Sequence, residues 1–171
     1  LEVDNEIEVF IYKDSEDRII ATTLEPKLLL GHYAALEALA VNKHGAFFDW
    51  GLEKDLLVPH VQQANEIEEG EIHVVYLYHD EKSDRLAGTT KISGTLKHDK
   101  PELEIGQEVK LMAYEDLEPG ISVIVNNMYQ GIIYHNELFQ EVEPGQILDG
   151  FVKKIRDDGK IDISLTRFGY R

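Results

Sequence analysis

No cysteine occurs in the 171 residues, which excludes disulfides, thiolate zinc sites and a cysteine nucleophile and suits a reducing cytoplasm. Basic charge is short as well: 17 Lys and Arg stand against 33 Asp and Glu, a formal net charge of −16. A uniformly acidic surface repels polyanions, so any contact with one has to be local. The richest basic stretch is the C-terminal one, where Lys153, Lys154, Arg156, Lys160, Arg167 and Arg171 outnumber Asp149, Asp157, Asp158 and Asp162. Apolar runs stay at the length of Leu28-Leu29-Leu30, far below a membrane-spanning helix. Long helical periodicity is missing too, and the only helical turns expected are short ones at 62–68 and 135–140.

Catalytic and metal patterns are also absent. There is no His-Glu-x-x-His pair, no Gly-rich phosphate loop, no nucleophile elbow and no serine in a triad context. His73 and His79 share strand parity but stand too far apart to chelate one ion. The acidic run Glu66, Glu68, Glu69 and Glu71 reads as a solvated loop face. The expectation is therefore a non-enzymatic chain with no cofactor, no metal and no membrane.

What is present is hydrophobic content of 43%, enough for packed cores, and a stretch that organises the rest. Gly45-Ala46-Phe47-Phe48-Asp49-Trp50-Gly51, a charged turn, and Leu56-Leu57-Val58-Pro59 read as two strands of a hairpin. Strand alternation places Ala46, Phe48 and Trp50 on one face and Phe47 and Asp49 on the other. A ring beside a carboxylate on an outer face is either a stacking surface for a base or a residue covered by a neighbouring loop.

The hairpin belongs to a repeat. Glu6-Ile7-Glu8-Val9, through Tyr12 and Asp14 to Asp17-Arg18 and Thr22-Thr23, recurs as Glu71-Ile72-His73-Val74, through Tyr78 and Asp80 to Asp84-Arg85 and Thr89-Thr90. A weaker copy runs from Gly150 to Arg156, turns at Asp157-Asp158-Gly159 and leaves through Lys160–Leu165. The opening half, 36–43 with its hairpin, recurs as 108–114, 120–126 and 130–134. This spacing predicts an all-β chain of tandem five-stranded barrels: a truncated barrel represented by its last hairpin at 1–31, a complete barrel at 32–97 and a more divergent one at 98–171. A chain that opens on a lone hairpin at Leu1 reads as a piece of a longer protein. That hairpin carries Ile7, Val9 and Ile11 on one face, which seeks cover on the adjacent barrel or, by self-association, on a second copy.

The string from Gly45 to Pro59 and the hairpin ending at Arg85 and Thr89-Thr90 resemble the RNA-binding domain of ribosomal protein S-one, an OB-fold barrel. With Asn126-Asn127 before Gly131 and the closing Lys154–Asp162, the chain is similar to the bacterial conserved virulence factor B family. The resemblance implies tandem S-one type OB barrels in a cytoplasmic RNA-binding regulator. Carried over by position, it implies an RNA face of His44, Phe47, Asp80 and Arg85. At the end of the third strand Pro59 replaces the usual His, and His60 stands beside it. In the last barrel Val123 aligns with Phe47, Tyr134 takes the third-strand position and Lys160 takes the Arg85 position. The partner implied is single-stranded RNA, bound by aromatic stacking and Arg or Lys contacts. The alternative is an acidic protein-interaction or scaffold module using the same faces, with protein partners. Salt separates the two, because only the first should weaken steeply as salt rises.

Overall fold

The structure, a computed structural model, describes residues 10–13, 19–22, 26–138 and 141–166. It divides into two compact units, Leu1–Thr90 and Lys91–Arg171. Among the described residues there are twelve strands, three short 3₁₀ turns and no α-helix. The turns lie at His60–Gln62, Ile92–Thr95 and His135–Glu137. The last falls within the expected 135–140, the first precedes the expected 62–68 and shares only Gln62 with it, and the one at 92–95 has no counterpart in the sequence reading.

In the first unit, β1 (Phe10–Lys13) and β2 (Ile19–Thr22) form an antiparallel hairpin. The five-stranded sheet then uses β3 (Tyr33–Asn42), β4 (Gly45–Asp49), β5 (Leu56–Pro59), β6 (Ile72–Asp80) and β7 (Arg85–Thr89) in the order β5-β4-β3-β6-β7. Alternation sorts each strand into two faces. Ala46, Phe48 and Trp50 are buried with Leu36, Ala38, Leu56, Val58, Val75 and Leu77, while Phe47 and Asp49 are only half-covered. Gly45 permits the close β4–β5 crossing, since a Cβ there would fall within 2.9 Å of the Pro59 Cα. Gly88 serves the core in the same way, facing Val75, Val58 and Leu56.

Every neighbouring pair in this sheet is antiparallel, so β5 and β7 run in the same direction. They lie side by side as the two edges of the curled sheet, and no strand pairing joins them. The curl is tied at the end where Thr90 N–H donates to the Gln62 carbonyl at 3.0 Å and the Thr89 hydroxyl donates to the same oxygen at 3.1 Å.

The second unit closes completely. β8 (Glu108–Asp116), β9 (Gly120–Val125), β10 (Tyr129–Tyr134), β11 (Ile147–Ile155) and β12 (Ile161–Ser164) form a barrel in the order β10-β12-β11-β8-β9. Parallel pairing of Gly131 with Ile161 and of Ile132 with Asp162 seals the seam that the first unit leaves open. The all-β, OB-type architecture read from the repeat therefore holds in both units.

Two details differ from the sequence reading. The hairpin residue that packs is Tyr12, 5% exposed, whereas Ile11 is 61% exposed, so the opposite face of β1 is covered; Ile7 and Val9 lie outside the described residues. The Tyr12 ring packs edge-on against Trp50, and its hydroxyl finds polar partners in Glu53 and Lys54. The second difference is the counterpart of Phe47. A β-bulge falls between Ala38 and Ala40 in the first unit and between Ala113 and Glu115 in the second. Aligning the bulges sets Val123 opposite Ala113 as Phe48 stands opposite Ala38, and both are fully buried. Ser122, not Val123, therefore takes the place of Phe47. Gly45 and Gly120, each against the backbone of the following strand, give the same equivalence, and a shift of one residue from it moves a side chain to the other face.

Candidate functional site

A groove of about 600 Å³ lies at the open seam of the first unit. Its walls are the edge residues Leu56, Leu57 and Pro59 of β5 and Arg85, Leu86 and Ala87 of β7, with Asp80 from the end of β6. Phe47 and His44 join from β4 and the turn before it, and Tyr12, Trp50, Ser83 and the turn residues Glu53, Lys54 and Asp55 complete the lining. The groove sits where the second unit pairs β10 with β12, so it exists because one seam of this barrel is not zipped.

The local chemistry combines rings with mixed charge. Phe47 is half-buried, with Leu57 directly opposite it across the β4–β5 pair. His44 is exposed on the β3–β4 turn, which is held by its backbone N–H donating to Asn42 Oδ1 at 2.8 Å. Asp80 pairs in register with Arg85 across the β6–β7 hairpin. Its carboxylate is committed to the turn, accepting from the Ser83 hydroxyl at 2.8 Å and the Lys82 N–H at 3.3 Å. The Ser83 hydrogen bond holds the Asp80 carboxyl below the usual range. Burial pushes Asp55 the other way, upward, with the charge of Asp49 adding to it. Asp49 itself is lowered, first by the Gly51 N–H and then by Lys27, whose ammonium lies 3.1 Å from it.

Of the residues expected from the sequence, His44, Phe47, Asp80 and Arg85 come together in this groove. His60 does not line it. Its Nε2 lies 2.8 Å from the Asn42 carbonyl oxygen, beside Val41 and Gln63 in a separate depression. Tyr134 and Lys160 belong to the second unit. There the Tyr134 hydroxyl donates to Asp162 Oδ1 at 3.2 Å, Arg156 Nε donates to the same oxygen at 3.0 Å, and Arg156 Nη2 also contacts the Tyr134 hydroxyl. Lys160 donates its backbone N–H to Asp158 Oδ1 at 3.0 Å. On the same unit the Tyr114 hydroxyl lies 3.0 Å from Ser93 Oγ, and burial raises its pKa above the ordinary phenol value. The hydroxyls of Tyr134 and Tyr114 are thus engaged within the second unit.

Sequence reasoning missed Tyr12, Trp50, Lys54 and Asp55 as lining residues. Trp50 was read as core, which it also is. In the sequence Tyr12 counts only as part of the repeat and 53–55 only as a charged turn, and the docking of the hairpin onto the barrel brings Tyr12 to that turn.

The S1 domain family matches residues 1–24 and 30–91, half of the chain. The chain belongs to the S1 domain family. Its first matched segment is the hairpin region and its second is the open barrel, so Tyr12 and Phe47 fall in different segments. The chain is also 27% identical over 168 residues to the uncharacterized protein YitL of Bacillus subtilis (strain 168), covering 94% of this chain and 56% of YitL. It therefore spans little more than half the length of that relative. A crystal structure of a multidomain protein with nucleic acid binding domains from Streptococcus pneumoniae TIGR4 has a similar fold, with a TM-score of 0.51 at 23% identity. The match covers 95% of this chain and 61% of that one.

Proposed function

We propose that the chain binds nucleic acid, and that the seam groove of the first unit holds single-stranded RNA. One observation carries this reading: a half-buried aromatic ring, Phe47, shares an unfilled groove with the guanidinium of Arg85. A ring of this kind stacks any base, and a guanidinium holds a phosphate, so the pair suits an unstacked strand and not a duplex whose bases face inward. S1 family membership and the nucleic-acid-binding description of the Streptococcus pneumoniae neighbour support the same assignment. With a net charge of −16, repulsion of the phosphate backbone outside the groove keeps binding weak, of micromolar order. The strings shared with the conserved virulence factor B family favour a cytoplasmic, post-transcriptional regulator of gene expression.

Fluorescence anisotropy of the full chain with labelled single-stranded homopolymers and a matched duplex tests the reading. Single strands bind, the duplex binds much less, and affinity falls as salt rises. Arg85→Ala lowers the log–log salt slope by about 0.7, the share of one phosphate on a single strand. Equal binding of duplex and single strand, or a salt-independent interaction, sinks the proposal. Salt-insensitive capture of a protein ligand on the same face would instead favour an interaction module, for which the acidic surface speaks.

A further inference from the structure

The β4–β5 turn of the first unit is held by rings at both of Lys54's backbone polar groups. The Lys54 N–H donates to the Tyr12 hydroxyl at 3.4 Å, and the Lys54 carbonyl accepts from Trp50 Nε1 at 2.7 Å. The Tyr12 hydroxyl also donates to Glu53 Oε2 at 3.3 Å, and its ring stands edge-on to Trp50, with centroids 5.8 Å apart. Tyr12 is buried and comes from β1, outside the segment that forms the barrel. The turn it fixes delivers Lys54 to the groove. Because β5 and β7 run in the same direction, the residues preceding Leu56 lie at the end of the seam where β7 begins with Arg85. Lys54 is exposed, and among the described residues its ammonium has no hydrogen-bond or ion-pair partner.

We propose that Lys54 is a second phosphate contact at the Arg85 end of the groove, and that Tyr12 of the preceding hairpin is the residue that positions it. The inference rests on the single-stranded RNA reading of this groove. It makes the site composite: a barrel of one S1 segment receives a positioning residue from the segment before it. An ordered turn keeps the ammonium at the groove mouth before the strand arrives, so less rotamer freedom is lost on binding. A free turn would leave the same charge mobile in solvent, where it contributes little.

The test uses the full chain, a labelled oligouridylate, and anisotropy across a salt series. Lys54→Ala lowers the slope of log affinity against log salt by about 0.7 and weakens binding several-fold at low salt. Lys54→Arg restores the slope. Lys100→Ala, the same charge change outside the groove, leaves it at the parent value. Tyr12→Phe keeps the ring against Trp50 and every charge, yet lowers the slope toward that of Lys54→Ala. The double variant adds nothing beyond Lys54→Ala, since both changes remove one contact. Thermal unfolding run in parallel shows Tyr12→Phe still folded. A parent-like slope for Lys54→Ala or for folded Tyr12→Phe overturns the proposal, as does an equal effect of Lys100→Ala or an additive double variant. If the parent itself binds no single-stranded RNA, the reading of the groove fails first and this inference with it.

Discussion

Phe47→Ala weakens binding of single-stranded RNA by about tenfold or more while the first unit stays folded. The ring lies on the outer face of β4, half-covered, with its inward neighbours Ala46 and Phe48 carrying the packing. Stacking of one base on an aromatic side chain is worth about 1 to 3 kcal/mol, which sets the size of the loss. The chain has a built-in comparison at Ser122, which holds the corresponding position in the closed barrel and offers no ring. Ser122→Ala should therefore leave affinity where it was. The measurement is paired: an anisotropy titration for binding and a denaturant curve for stability. A Phe47→Ala variant that binds like the parent would make Phe47 a covering residue and pass the face to a protein partner. One that unfolds would make it part of the core.

The adjacent residue gives the opposite result. Phe48→Ala destabilises the first unit by about 3 to 5 kcal/mol, because a fully buried ring leaves a cavity that a β-sheet core closes only partially. That is a large fraction of the 5 to 15 kcal/mol that typically separates folded from unfolded domains. Urea unfolding followed by Trp50 fluorescence reads it directly, since Trp50 is the chain's single tryptophan and lies in the same core cluster. RNA binding disappears only to the extent that the unit unfolds, so excess ligand recovers part of the lost stability. An unchanged midpoint would mean that β4 is turned over and that the faces assigned to Phe47 and Phe48 are exchanged. Two neighbours in one strand thus separate binding from folding, and neither result can be mimicked by the other.

Much of the hairpin that organises the first unit was legible because β4 and β5 keep a period of two. Ala46, Phe48 and Trp50 lie inward and Phe47 and Asp49 outward, as alternation requires. The turn chemistry at Asp80–Arg85 was equally readable, since a charged turn between two β-rich runs closes a hairpin. The last unit was legible in its strands but not in its side-chain equivalences. Both units bulge at the matching place, so the equivalence is set by Gly45 and Gly120, each against the backbone of the next strand, and not by a hydrophobic match between Phe47 and Val123. Val123 looked like the partner of Phe47 while lying in the core.

The groove belongs to another level. Alternation, turn residues and the repeat determined that this chain folds as successive five-stranded OB-type units, and they placed Phe47 and Arg85 on outward positions of the first complete one. Those are local properties, set by steric periodicity and by burial of every second side chain. Whether the last seam of a barrel is hydrogen-bonded depends on how far the whole sheet curls, a sum over all its strands that no single stretch encodes. Only the tertiary structure decided that β10 and β12 zip while β5 and β7 do not, leaving a groove in one unit and a sealed barrel in the other. Likewise Tyr12 and Lys54 are forty-two residues apart, and it is the docking of the hairpin on the barrel, not any motif, that sets them at hydrogen-bond distance.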